Sequence, residues 1–196
     1  MNVNADTVTA AFMPQIMQYK DVPHPKCVIC FAGVPGSGKS WLAERLEHDL
    51  RAVRISNDDI RRTIDAAGVT DRNTRERIKE SVIRRVNKEV VTWQNGLLVL
   101  DADVSRRFAK MLPRFPGYKI IVISIDAPKD LLIKRIRTRE GHRADPERTI
   151  ELLDRWLADK AEFMQHFGEK VTIHLNTEQG IDYESLKNQL ISEVKS

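Results

Sequence analysis

From residue 27 onward, short apolar runs alternate with longer stretches of helical periodicity. The apolar runs fall at 27–32, 52–56, 97–100, 119–125 and 171–175, the lengths expected of buried strands. Helical spacing is read over 39–50, 59–67, 73–94, 105–112, 129–138, 146–166 and 183–194. This alternation predicts βαβ units with right-handed crossovers, and so a three-layer α/β/α domain on a mainly parallel five-stranded sheet. In such a sheet ligands bind beyond the carboxyl ends of the strands, so the residues just after each run are the ones to read for chemistry. Residues 1–26 precede the pattern and read as an N-terminal extension, with residues 27–196 forming the domain. A short amphipathic helix is expected over 7–18, before Val22-Pro-His-Pro25 breaks regular structure.

Composition narrows this picture. A length of 196 residues suits one α/β domain and is short for two independent cores. With 41% hydrophobic and 31% charged residues, the chain can fill a core beneath a solvated surface. No run approaches the ~18 consecutive apolar residues of a membrane span. The segment from Met1 to Asp6 lacks the basic and apolar regions of a secretory signal, so the expectation is a cytoplasmic protein. The net charge of +4 suits a phosphorylated or polyanionic ligand but does not establish nucleic-acid binding, because a phosphate site needs basic residues of its own. Cys27 and Cys30 have the C-x-x-C spacing of redox and metal motifs. Both fall within the first apolar run, however, and residues three apart on a strand point to opposite faces. The two sulfurs are therefore expected to stay apart as buried thiols.

The chemistry begins where the first run ends, at Gly33-Val-Pro-Gly-Ser-Gly-Lys-Ser40, a full G-x-x-x-x-G-K-[ST] phosphate-binding loop. Glycines let the backbone curl so that its N–H groups converge on phosphate oxygens, and the following helix adds the positive end of its dipole. Gly33, Gly36, Ser37 and Gly38 form the cradle. Lys39 is expected to reach the β and γ phosphates of ATP, and the Ser40 hydroxyl to ligate Mg²⁺.

After the second run comes Asn57-Asp58-Asp59-Ile60-Arg61-Arg62. Phosphoryl transfer to an alcohol needs a carboxylate that accepts the hydroxyl proton, and Asp58 is the candidate. Arg61, one helical turn on, shares its face and is placed to hold an acceptor phosphate or transition-state charge. The plainer alternative is that Asp58 only caps the helix. The third run ends in Asp101-Ala-Asp103, where an apolar strand closed by Asp is the usual metal-side carboxylate, direct or through water. A turn-starting Asp is the alternative there. Asp103, Arg106 and Arg107 are weaker acceptor-side candidates, better explained by a solvated helix start. Arg135 and Arg139 lie four apart on one helical face ahead of a Gly141 hinge and Pro146, which reads as an arginine-bearing lid that excludes water and neutralises charge. Asn176-Thr-Glu-Gln179 is a plausible flank for the adenine base.

Together these motifs resemble the small P-loop kinases that include polynucleotide 5′-hydroxyl kinases and the related zeta-toxin-type and small-molecule kinases, over residues 27–176. The loop Gly33-Val34-Pro35-Gly36-Ser37-Gly38-Lys39-Ser40 followed by Trp41 matches that group's G-x-P-G-S-G-K-S loop and trailing Trp. Asp58-Asp59-Ile60-Arg61 matches its D-D-x-R segment, Asp101 its strand-ending Asp, and Lys134-Arg135 with Arg139 its K-R-x-x-x-R lid. The resemblance implies that Pro35 and Trp41 belong with the nucleotide site, that Asp58 is the general base and that Arg61 contacts an acceptor-side phosphate. It further implies that Arg135 and Arg139 stabilise the phosphates, and that a single-stranded nucleic-acid 5′ end is the leading acceptor. Two departures, Asp101-Ala-Asp103 for the group's D-x-N and Glu140-Gly-His142 in the lid, both bear on the acceptor. A small-molecule kinase acting on a sugar, antibiotic or nucleotide-sugar hydroxyl is the alternative, as is a slow ATP-hydrolysing regulatory protein. A broad basic groove would favour the polynucleotide and a closed pocket the small molecule.

Overall fold

The structure, a computed structural model, describes residues 3–138 and 145–196. It begins with helix α1 (Ala5–Ile16), whose first turn is closed by Asn4 accepting from the Thr7 amide. The core then follows the strand–helix alternation: β1 (His24–Ala32), α2 (Lys39–Leu50), β2 (Val53–Ser56), α3 (Asn57–Ala66), α4 (Arg72–Val90), β3 (Asn95–Asp103), α5 (Phe108–Met111) and β4 (Lys119–Asp126). The chain closes with α6 (Lys129–Thr138), α7 (Pro146–Glu151), α8 (Leu153–Phe167), β5 (Val171–Asn176) and α9 (Tyr183–Lys195). The five strands form one sheet in the order β2-β3-β1-β4-β5, and every pairing is parallel. This is the three-layer α/β/α P-loop fold.

The period-two geometry of a strand explains the two cores. Along β1, Val28, Cys30 and Ala32 face one layer, where they meet Phe12 of α1, Ile60 and Ile64 of α3, Val82 and Val86 of α4 and Phe163 of α8. The alternate residues Cys27, Ile29 and Phe31 face the other layer, against Leu42 and Leu46 of α2 and Leu186 and Leu190 of α9. The two cysteines thus lie in different cores as free thiols. Burial pushes the Cys27 thiol up to about 11 and the Cys30 thiol higher still, so both are protonated at neutral pH.

Several elements differ in extent from the pattern reading. β3 runs on through Asp103 instead of stopping at residue 100, because its edges keep finding partners: Ser56 pairs with Asp101, and Phe31 with Asp103. Against β1, residues 101 and 102 go unmatched, a bulge that sits at the ligand edge of the sheet. The helix expected over 105–112 shrinks to Phe108–Met111, because the Asp103 carboxylate accepts from both the amide and the hydroxyl of Ser105 and holds a turn there. The helix expected over 146–166 divides at Leu152, which lets α7 pack against α6 while α8 continues onto the sheet. Val34, Leu132, Ile136 and Leu153 form a separate small core at this corner. Among the described residues, no helix is long and apolar enough to cross a membrane.

Candidate active site

Parallel strands bring their carboxyl ends to one edge, and the chain places its chemistry there. The loop leaves β1 at Gly33 and enters α2 at Lys39. Gly36 and Gly38 adopt φ of 82° and 100°, a left-handed backbone that side-chain-bearing residues resist. Space is equally restrictive: a Cβ on Gly33 would lie 2.8 Å from the Ser37 hydroxyl, and one on Gly36 would lie 2.9 Å from the Leu132 carbonyl. Within the loop the Ser37 amide donates to the Val34 carbonyl at 3.2 Å, and the Lys39 ammonium donates to the same carbonyl at 2.8 Å. The Ser37 hydroxyl is fully buried with no hydrogen-bond partner among the described residues.

Ser40, in the first turn of α2, donates its hydroxyl to Asp101 Oδ1 at 3.0 Å. A hydroxyl and a carboxylate meeting at the foot of a phosphate loop are a fitting pair of hard oxygen donors for Mg²⁺, which takes few protein ligands and completes its shell with phosphate and water. Asp101 is itself held from behind. Arg54 of β2 donates to Asp101 Oδ2 at 2.8 Å, to Glu47 Oε2 at 2.8 Å and to Asp59 Oδ2 at 3.0 Å. Burial alone would lower the Arg54 pKa, but the Glu47 hydrogen bond and the charges of Asp59, Asp101 and Glu47 raise it. Sequence reading missed this residue. The signal was a charged position inside an apolar strand.

Helix α3 starts one residue beyond β2, and its N-cap is Ser56, which accepts from the Asp59 amide at 3.2 Å. Capping is therefore Ser56's task, which leaves the Asp58 carboxylate half exposed in the first turn, accepting from Arg61 at 2.7 Å. Asp103 is drawn toward the loop: besides Ser105 it accepts weakly from the Gly33 amide at 3.4 Å. Arg106 and Arg107 turn to surface partners, Asp159 and Glu80.

Arg135 donates to the Thr177 hydroxyl and carbonyl, both at 2.7 Å, and to the Gly36 carbonyl at 3.4 Å. It ties α6 to the phosphate loop and to the segment after β5. Arg139 lies outside the described residues. Beside this tie, the buried Lys160 of α8 donates to the Ile125 carbonyl at 2.9 Å and to Asp126 at 2.5 Å, fixing the end of β4. Trp41 is exposed on α2, edge-on to Tyr183, with the Arg45 guanidinium over both rings.

Next to the Asp58–Arg61 pair opens a cavity of about 470 Å³, lined by Arg61, Ile64, Arg72, Arg75, Glu76 and Arg148. Its walls come from α3, the first turns of α4, and α7, elements separated in sequence. The Arg72–Arg75 spacing places two cations near the start of one helix, but nothing local announced Arg148 as their neighbour.

A family model described as an AAA domain, AAA_33, matches residues 28–162, well over half of the chain. The chain belongs to this family. It is 24% identical over 123 residues to an adenylate kinase of Mycoplasma capricolum subsp. capricolum, a match covering 57% of this chain and 58% of the relative's length. Among solved structures, a kinase candidate from Chloroflexus aurantiacus j-10-fl superposes with a TM-score of 0.62 at 19% identity, covering 89% of this AAA-domain protein and 98% of that chain. Shikimate kinase from Bacteroides thetaiotaomicron follows at TM-score 0.57 and 15% identity, covering 87% and 99%. Gluconokinase from Sinorhizobium meliloti 1021 follows at 0.55 and 16%, covering 88% and 93%. At these identities the likeness is one of fold.

Proposed function

We propose that this AAA-domain protein is an ATP- and Mg²⁺-dependent kinase that transfers the γ-phosphoryl group to a substrate hydroxyl. The observation that carries the reading is the Ser40–Asp101 contact of 3.0 Å at the foot of the phosphate loop, with Asp58 exposed on the neighbouring strand's exit. A phosphate loop and a metal-side carboxylate serve any nucleotide hydrolase. An exposed carboxylate beyond the adjoining strand, paired with an arginine and not used as a cap, serves an acceptor.

In the proposed reaction the loop amides and Lys39 hold the β and γ phosphates in line with the acceptor. Ser40 and Asp101 would hold Mg²⁺, which when bound would supply positive charge to offset that of the phosphates. The acceptor oxygen forms its bond to the γ-phosphorus as the bond to the β-γ bridging oxygen breaks, ADP leaves, and the hydroxyl proton passes to Asp58. Arg61 aims that carboxylate and faces the incoming acceptor. Arg135 and Arg139 act from the lid side, with Arg135 also clasping Thr177 beside the adenine flank.

Sequence resemblance favours a polynucleotide 5′-OH as acceptor. The cavity beside Arg61, of a size for a small ligand, favours the second reading, a small-molecule alcohol. A slow ATP-hydrolysing regulator has no use for the Asp58–Arg61 pair. Asp58→Asn tests the acceptor chemistry: ATP affinity should stay within about twofold while transfer falls ~10²–10⁴-fold, the range for loss of a general base. Unchanged transfer per folded molecule would remove Asp58 from the mechanism.

A further inference from the structure

The charges around the cavity do not cancel. Four of its lining residues are arginines, against one glutamate. Arg61 is engaged by Asp58, and Arg75 by Asp65. Glu76 is engaged by the buried Lys79. Burial alone would raise the Glu76 pKa, but the Lys79 hydrogen bond and the charges of Lys79, Arg61 and Arg107 hold it below the usual carboxylate range. Arg72 and Arg148 have neither a hydrogen bond nor an ion pair among the described residues. Two guanidinium groups with no partner among the described residues therefore line the cavity, one on α4 and one on α7. The amino end of α4 begins at Arg72, just after Asp71, whose carboxylate caps the helix by accepting from the Thr74 amide.

A phosphate monoester carries about −1.5 to −2 charges at neutral pH and presents oxygens that guanidinium groups bind in pairs. We propose that Arg72 and Arg148, with Arg61 and Arg75 behind them, anchor such a group, and that the acceptor of this kinase is a small alcohol already bearing a phosphate. The inference rests on the kinase reading and adds the acceptor's class. Arg61 carries the logic: it lines the cavity and donates to Asp58 at 2.7 Å, so an anion held in the cavity lies one side chain away from the proposed base. The volume of about 470 Å³ lies within the usual range for a small ligand, roughly 300–1,000 Å³.

The test fills the phosphate loop with Mg²⁺ and a non-hydrolysable ATP analogue, then titrates inorganic phosphate calorimetrically. Wild type should bind it, and R72Q/R148Q should raise its Kd at least tenfold with the analogue's Kd unchanged; both side chains are exposed, so the variant should fold. In a parallel transfer assay, label from ATP should pass to ribose 5-phosphate or glycerol 3-phosphate in preference to ribose, glycerol or a 5′-OH oligonucleotide. R72Q/R148Q should raise the KM for the phosphorylated acceptor. No phosphate binding beside the analogue, binding indifferent to the double substitution, or label confined to neutral alcohols or the oligonucleotide would each overturn the proposal. Failure of the analogue to bind would instead strike the kinase reading, and the phosphate titration repeated on Lys39→Ala would still read the cavity.

Discussion

At the scale of single residues, Arg54 decides how the site is held. It gathers Glu47, Asp59 and Asp101, three carboxylates that would otherwise repel one another at the sheet edge. Removing a cation from a cluster of this kind leaves uncompensated charge in low dielectric, which costs about 3–5 kcal/mol when fully buried. Here the carboxylates are partly solvated, and Asp59 and Asp101 keep Arg62 and Ser40 as partners, so Arg54→Met should cost about 2–3 kcal/mol. Urea unfolding measures this, and a change below about 0.5 kcal/mol would show that the cluster stands without it. The placement of Asp58, Arg61, Lys39, Ser40 and Asp101 at the ligand edge of the sheet was legible in the sequence because each is defined by its distance from a strand end or a glycine loop. Arg54 was not, because its partners lie 5, 7 and 47 positions away and only the sheet brings them together. Arg135 is similar: its spacing from Arg139 pointed to phosphates, whereas its bonds to Thr177 depend on the last strand.

At the scale of elements, the alternation of apolar runs and helical stretches located all five strands, and the misjudged limits have local causes. Asp103 stops α5 from starting at Ser105, and continued pairing carries β3 past Leu100. The pattern did not show how far α1 is drawn into the molecule. Val8 and Ile16 are almost wholly buried and Phe12 completely so, against α3, α4 and β2. Truncating a fully buried phenylalanine loses its transfer energy and leaves a cavity, together about 3–5 kcal/mol. Phe12→Ala should lose that much by urea unfolding, with a matching drop in thermal midpoint. A loss under about 1 kcal/mol would mean that α1 lies on the domain without supporting it. Because α1 packs on α3, which carries Asp58 and Arg61, it also braces the proposed acceptor side of the site.

At the scale of the whole molecule, one all-parallel sheet does the positioning. The order β2-β3-β1-β4-β5 sets β3 between β1 and β2, so that Asp101 stands between the phosphate loop and the exit to α3. The proposed donor site, metal-side carboxylate and base thereby fall at the ends of three adjacent strands. The nucleotide half of this arrangement is written in one contiguous motif, which is why it could be read directly. The proposed acceptor half draws on α3, α4 and α7, and its arginines meet only after folding. The measurement that bears most directly on the account is transfer of labelled γ-phosphate from ATP with Mg²⁺ to a panel of phosphorylated alcohols, neutral alcohols and a 5′-OH oligonucleotide, run beside Lys39→Ala. Label is expected on a hydroxyl acceptor and should disappear in Lys39→Ala. Release of free phosphate alone, or transfer that survives in Lys39→Ala, would contradict it.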